Sequence, residues 1–506
     1  MSDAEVAAAL RSASPLVVIE APGGCGKTHQ GSLYAADAAA LSEKRILILT
    51  HTNAACDVFA SRTKAAGSKV EIRTIDGLTG EIAGAYRLAL GLPEDIALWA
   101  RTETDGYARL SAMVADLLDR HSAIAAAIAG RYPFIICDEH QDATADQHRI
   151  IMRLHAAGAA LRIFADPMQR IFGERSKALI EAEIKRWDDL KAEADVFAEL
   201  DTPHRWDGIN PALGAWIMSA REQLRSGAAI DLKANRPAGL HLIDADNVAR
   251  AASAFRLSTE QRRPLNQHMR TLPSVLVLAS HNATILSLRG FFGRSIPVWE
   301  GHVREALDIL CEAHRTSRGN PAAMARAARA FVEAVATGFT RHAFGDRLVQ
   351  EVDGGCTTSC RGKPATLQAL GRLLVDEPDH RGIAKFLASL RQAIREDPAF
   401  ATIKLDLHHE LNDAIRLGGF DDPDAGLAEI ARRRTHARIA VPTKALSTIH
   451  KAKGLEFENV VLFGCDRSNF GDTAAARAKL YVAMSRATKS LCLLISRAKP
   501  TPLFEI

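Results

Sequence analysis

The chain has 506 residues, 47% hydrophobic and 25% charged, the composition of an ordinary soluble globular protein with enough apolar material for several domains. Its formal net charge of +4 neither demands nor excludes a polyanionic partner, so any nucleic-acid surface must be a local patch. No basic leader precedes an apolar core, and no apolar run approaches the roughly 20 residues of a membrane span, so a cytoplasmic protein with no membrane partner is expected.

In chain order, short runs rich in Val, Ile and Leu at residues 16–20, 45–50, 134–138 and 161–165 read as buried parallel strands, each followed by a loop or helix signal. Strands apolar on both faces imply a sheet covered on both sides by helices, with ligands at the strands' carboxyl ends. A second set at 240–243, 275–279, 460–463 and 491–495 predicts a second α/β domain. Between the sets, 80–131 and 303–434 are Ala-, Leu- and Arg-rich with helical spacing, as at 322–336 and 383–395, and read as one helical insertion in each α/β domain. The eight cysteines are scattered, mostly in apolar runs, which suits reduced thiols. Cys356 and Cys360 lack two further soft ligands nearby, so their segment reads as a Gly-rich surface loop.

Residues 21–28, Ala21, Pro22, Gly23, Gly24, Cys25, Gly26, Lys27 and Thr28, stand between a strand and a helical pattern, the context a phosphate loop requires. The glycines let backbone N–H groups turn inward on phosphates at a helix N-terminus. Lys27 supplies charge for the outer phosphates of ATP, and the Thr28 hydroxyl completes a Mg²⁺ shell. Ala21 replaces the usual first glycine, and Cys25 reads as a small loop residue rather than a nucleophile. Asp138 and Glu139 end an apolar strand, so one carboxylate can hold Mg²⁺ while the other poises water. Alone, such a pair also reads as a helix cap.

DEHQDATADQ, at residues 138–147, resembles motif II of the UvrD/Rep-like branch of superfamily 1, superfamily 1A, and the surrounding order agrees. LTHTNAACD (49–57) resembles motif Ia, ADPMQRIFG (165–173) motif III, LDTPHRW (200–206) motif IV, TIHKAKGLEF motif V and YVAMSRA motif VI. The resemblance implies two RecA-like P-loop NTPase domains with parallel sheets, each carrying a helical insertion. It assigns 1–78 and 132–197 to domain 1A with insertion 1B at 79–131, and 198–302 and 436–506 to domain 2A with insertion 2B at 303–435. Gln169 would sense the γ-phosphate, Arg205 and Arg486 would reach it from the second domain as arginine fingers, and Glu456 would touch the ribose. Hydrolysis would then depend on domain closure.

The same resemblance places His51, Thr52, Asn53, Thr74, Phe172, Arg175, His450 and Lys451 along a single-strand groove. Here the sequence departs from the family: His51 replaces an aromatic, Asp76 stands where His is common, and Glu174 replaces a second aromatic, leaving Phe172 as the motif III stacker unless Trp206 compensates. Phe172 also reads as a core residue, and His51 as a strand-end cap. The adenine-recognising Gln expected upstream of the phosphate loop is missing from residues 1–14, and a dense basic run, Arg432, Arg433, Arg434 and Arg438, reads as a solvated helix end or a phosphate contact. These features point to an ATP- and Mg²⁺-dependent helicase or translocase moving 3′ to 5′ on single-stranded or tailed DNA, in DNA repair or in defence. The compact form also resembles the helicase-like subunit of Gabija-type anti-phage systems, which binds a nuclease partner. The second expectation is therefore a DNA-sensing regulatory ATPase that acts with a nuclease without processive unwinding.

Overall fold

The structure is a computed structural model and describes residues 1–171, 176–234, 236–249, 255–300, 304–435 and 441–506. Contacts divide it into two compact units, residues 1–281 with 448–506, and residues 282–447.

The first unit holds both α/β sheets. One contains strands β1 (Leu16–Glu20), β2 (Ile46–Thr50), β3 (Val70–Thr74), β4 (Phe134–Cys137), β5 (Ala160–Ala165) and β6 (Val196–Glu199), all parallel in the order β3-β2-β4-β5-β1-β6. Period-2 alternation along β1 and β2 explains why these runs carry no polar face. Leu16, Val18, Leu47 and Leu49 pack into one apolar cluster with the helices of residues 75–131 and 145–156. Val17, Ile19, Ile46 and Ile48 pack into another, with helices α1 (Asp3–Leu10) and α2 (Lys27–Leu41). The phosphate loop, the acidic pair and Gln169 follow β1, β4 and β5 at their carboxyl ends.

Within the same unit, four strands of the five-stranded second sheet run in parallel, β7 (Leu240–Asp244), β8 (Val275–Ala279), β9 (Phe457–Cys465) and β10 (Ala487–Ile495), with neighbours in the order β8-β9-β10-β7. Both sheets have the form expected of RecA-like domains. The sequence reading missed β3 and β6, which lie at the edges of the first sheet and are only partly buried. An edge strand needs no continuous apolar run, and VEIRT carries charges at Glu71 and Arg73. The boundary drawn at 197/198 falls inside β6, so Arg205 follows a strand of the first sheet, whereas Arg486 directly precedes β10 in the second.

The second unit is mainly helical, with eight α-helices from Asn282–Phe291 to Pro423–Thr435 among the described residues and a core centred on residues such as Phe331, Leu348, Phe386, Leu387 and Phe400. Cys356 belongs to that core and is 1% exposed with φ 55°, correcting the surface-loop reading of this thiol. The helix Pro423–Thr435 takes in residues 432–434, and Arg438 lies outside the described residues. No described helix is long and apolar enough to cross a membrane.

Arg162 on β5 ties the N-terminal helix to the sheet. Its buried guanidinium donates to the carbonyls of Leu10 (2.7 Å), Ser14 (2.9 Å), Leu161 (2.9 Å) and Ser12 (3.0 Å) and lies 5.1 Å from the Tyr34 ring centroid. Arg162→Met strips these carbonyls of their donor and should lower unfolding stability by about 1–3 kcal/mol, read as a reduced urea midpoint. An unchanged midpoint would show that water replaces the guanidinium there without cost.

Candidate nucleotide site and nucleic-acid track

The phosphate loop begins where the Ala21 N–H donates to Ala165 O at 2.8 Å, joining it to β5. Gly24 and Gly26 have φ of +91° and +86°, which L side chains rarely adopt. A Cβ at Gly24 would meet Arg205 Cβ and Trp206 Cζ3 at 2.8 Å, so the loop is shaped against the turn that carries Arg205. Lys27 opens α2, and its Nζ lies 2.7 Å from Glu139 Oε1, its one charged partner among the described residues. Thr28 is partly exposed one residue on. Cys25 is buried with Sγ 4.0 Å from Met218 Sδ, and burial pushes its thiol up to about 12, which removes it as a thiolate.

Asp138 and Glu139 leave β4 together, and the Asp138 N–H donates to Leu49 O at 2.9 Å. Burial, then the neighbouring Glu139 charge, pushes the Asp138 carboxyl well up. Burial also works against the Glu139 charge, but Lys27 and Lys453 outweigh it and hold that carboxyl far below its ordinary range. Glu139 sits at φ 54°, a conformation that costs a non-glycine residue about 1–2 kcal/mol. Its Oε2 accepts from Gln141 Nε2, whose partner oxygen accepts from the Asp166 N–H at 2.9 Å. Asp138 Oδ1 is buried with no hydrogen-bond partner among the described residues. That orphaned oxygen, the Thr28 hydroxyl and the glycine cradle fit Mg²⁺ and a triphosphate.

Gln169, Arg205, Arg486 and Glu456 converge on the same place. A Cβ on Gly23 would lie 3.0 Å from Gln169 Nε2, which donates to Asp166 Oδ2 at 3.0 Å. Arg205 Nη2 lies 2.7 Å from Glu456 Oε1 and its Nη1 donates to Ser485 O at 2.6 Å, so the expected phosphate and ribose ligands pair with each other. Arg486 is 1% exposed; it donates to Val482 O (3.0 Å) and Ser485 Oγ (2.8 Å) and reaches Gln169 Oε1 at 3.5 Å. Burial, and then Arg205, pushes the Arg486 guanidinium down to about 10. Tyr481, passed over in the sequence reading, accepts from the Gly23 N–H at 2.8 Å. The signal for it was its place on the helix Ala474–Met484 that leads into Arg486.

The nucleic-acid residues are less uniform. Thr52 and Asn53 are exposed, and Thr52 Oγ1 caps the helix Asn53–Arg62 by accepting from the Ala55 N–H at 3.2 Å. Thr74 Oγ1 caps the helix Ile75–Ala85 through the Gly77 N–H at 3.0 Å. His51 is half-buried, and burial lowers its imidazole. Asp76 accepts from Gln147 Nε2 at 2.8 Å, so it is tied to the motif II helix. Trp206 does not replace a lost stacking platform: it is fully buried, donates from its indole to Ala487 O at 2.7 Å and packs against Gly24 and Gly214. His450 Nε2 lies 3.1 Å from Ile171 O, and the Lys451 N–H donates to Thr448 Oγ1 at 3.3 Å. Lys453, also missed, pairs with Asp142 and donates to Gln169 O at 2.9 Å. Phe172, Arg175 and Glu174 lie outside the described residues.

At the N-terminal side of the loop, His204 Nε2 lies 2.6 Å from Asp3 Oδ2 and Nδ1 lies 3.0 Å from Asp207 Oδ2. Gln30 is buried beside Asp3, with Nε2 3.5 Å from Asp3 O.

Residues 97–183 match the UvrD/REP helicase N-terminal domain, and residues 445–494 match the UvrD-like helicase C-terminal domain. No curated protein matches the sequence. The Pif1 helicase from Candida albicans is similar at 12% identity and a TM-score of 0.39, over 97% of this chain and 94% of that one.

His204 yields a pH signature. Burial pulls its imidazole down, but Asp207 and Asp3 outweigh it and raise the folded value above 6.5. The pairing therefore contributes fully below pH 6.5 and is lost as pH rises through the raised value. Thermal unfolding of His204→Gln should lie closest to the parent at alkaline pH and fall furthest below it under mildly acidic conditions. A pH-independent gap between the two would contradict the pairing.

Proposed function

We propose, for a chain that belongs to the UvrD-like superfamily 1 ATP-dependent DNA helicases, that hydrolysis of ATP with Mg²⁺ drives 3′-to-5′ movement along single-stranded DNA. The supporting observation is the convergence of Lys27, Asp138, Glu139, Gln169, Arg205 and Arg486 on one glycine cradle, with residues of the 448–456 loop hydrogen-bonded to the same motifs. The 3′-to-5′ polarity is what the resemblance to the UvrD/Rep-like branch implies.

Thr28 and Asp138 would hold Mg²⁺, which when bound neutralises charge on the outer phosphates. Lys27 turns its Nζ from Glu139 to those phosphates, and Glu139 Oε1 is then free to take a proton from water. Gln169 faces the outer phosphate beside Gly23, while Arg205 must release Glu456 to reach it and leave that carboxylate for the ribose. Arg486 would turn from Val482 O and Ser485 Oγ to the phosphate, and by the family resemblance this step would accompany domain closure.

A second reading, a DNA-sensing ATPase that acts with a nuclease in defence or repair, is favoured by the burial of Trp206 and the tied Asp76, which leave few described platforms for bases.

Lys27→Ala should abolish DNA-stimulated ATP hydrolysis, and Glu139→Gln should lower kcat by about 10² to 10⁴ while nucleotide still binds. DNA-stimulated hydrolysis that survives both substitutions would sink the proposal. A 3′-tailed duplex should be displaced and a 5′-tailed one left intact; hydrolysis without displacement of either supports the sensing role.

A further inference from the structure

One buried arginine outside every motif holds the centre of this site. Arg221 lies on α3 (Pro211–Arg225) and is 1% exposed. Its Nη2 donates to Glu20 Oε1 at 2.6 Å and to Asp166 Oδ1 at 2.9 Å, and its Nε reaches the same Asp166 oxygen at 3.3 Å. Nη1 donates to Glu222 Oε1 at 2.7 Å, and the guanidinium lies 5.9 Å from the Tyr481 ring centroid. Glu20 is the last residue of β1, directly before the phosphate loop, and Asp166 directly follows β5.

Asp166 is fully buried and presents two kinds of group. Its carboxylate oxygens accept, and its backbone N–H donates. Arg221 and the Met168 N–H (3.1 Å) take Oδ1, while Oδ2 accepts from Gln169 Nε2 and so leaves Gln169 Oε1 toward Arg486. The Asp166 N–H takes Gln141 Oε1, so Gln141 must offer Nε2 to Glu139. Two hydrogen-bond chains thus leave Asp166, one from its guanidinium-held carboxylate to Gln169 and one from its backbone N–H through Gln141 to Glu139. Removal of Arg221 would leave Asp166 without its guanidinium beside Glu20, which keeps only Arg225 Nη1 at 3.4 Å. Such a pair of carboxylates turns apart, and that change releases Gln169 from Oδ2, while Gln141 stays on the Asp166 backbone N–H.

We propose that Arg221 is a positioning residue for ATP hydrolysis: by holding Asp166 Oδ1 it fixes the carboxylate whose Oδ2 receives Gln169 Nε2, and so holds the Gln169 oxygen in place for reaction. The inference rests on the hydrolytic reading of Glu139 and Gln169 given above. Its action lies in the transition state rather than in nucleotide capture, because Arg221 is buried behind Asp166 and Glu20.

The test compares the full chain with Arg221→Gln, Arg221→Lys and Glu20→Gln/Arg221→Gln. Three quantities are read: steady-state ATP hydrolysis with Mg²⁺ and saturating single-stranded DNA, equilibrium binding of ADP with and without aluminium fluoride, and thermal unfolding. Arg221→Gln should lower kcat about 10- to 100-fold and weaken binding of the ADP–aluminium fluoride mimic to the same degree, with KM and ADP affinity within about threefold of the parent. Arg221→Lys, which keeps the charge without the fork, should regain part of kcat. The double variant should recover thermal stability but not kcat, since relief of the paired charges does not hold Asp166. Recovery of kcat together with stability in the double variant, or a loss confined to KM, would reduce Arg221 to a structural ion and overturn the proposal. Glu139-dependent hydrolysis that is normal in Arg221→Gln defeats this inference alone, whereas hydrolysis indifferent to Glu139→Gln defeats the reading beneath it.

Discussion

The contact on which the site depends is the 2.7 Å ion pair between Lys27 and Glu139. Both partners are charges that the proposed chemistry needs elsewhere: the ammonium on outer phosphates, the carboxylate on water. Breaking a buried pair by removing one partner costs about 3–5 kcal/mol, because the other is left uncompensated. Neither group can therefore act until a replacement charge arrives, and a triphosphate supplies one to Lys27. The pair also suits the proposed division of labour between the two acids. With Glu139 held ionised by Lys27 and Lys453, the buried Asp138 beside it resists a second negative charge, so a cation at its unpartnered Oδ1 is the natural compensation.

The same rule of mutual quenching governs the rest of the site. Arg205 is held by Glu456, and Arg486 is folded back onto carbonyls and Ser485. The Gly23 N–H, pointed toward the phosphate position by the loop, is taken by Tyr481. Arg205, Arg486 and the Gly23 N–H are thus satisfied by neighbours from motif V or VI, as Lys27 is by Glu139 of motif II. Buried polar groups demand such partners, and here the partners are themselves parts of the engine. A nucleotide that displaces them disturbs both sheets at once, which is a physical route from binding to motion.

Much of this was legible in the sequence because parallel strands must be apolar on both faces and must deliver their loops to one edge. The runs at β1, β2, β4, β5 and four of the five strands of the second sheet announced themselves that way, and the loops after β1, β4 and β5 carried recognisable chemistry. The edge strands β3 and β6 did not, since exposure relaxes the demand for apolar residues. Side-chain pairing was also hidden. Trp206 looked like a spare aromatic, yet glycines 24 and 214 make the slot that buries it. Arg221 sits in an ordinary amphipathic helix, and nothing local distinguishes it from a solvated arginine. Only the approach of Glu20 and Asp166 from two strands gives it meaning.

The loop of residues 448–456 carries the argument from hydrolysis to load. Lys453 binds Asp142 and the Gln169 carbonyl, and His450 lies against the Ile171 carbonyl, so a displacement of this loop is felt at motifs II and III together. Lys453 also helps to keep Glu139 ionised. A strand held at His450 and Lys451 would therefore act on the catalytic carboxylate through three residues of one loop, without a long relay. Stacking platforms add grip, but this coupling does not require them. A chain with few described aromatics on its track can still be driven by DNA, and what it loses first is purchase on the bases rather than control of the ATPase.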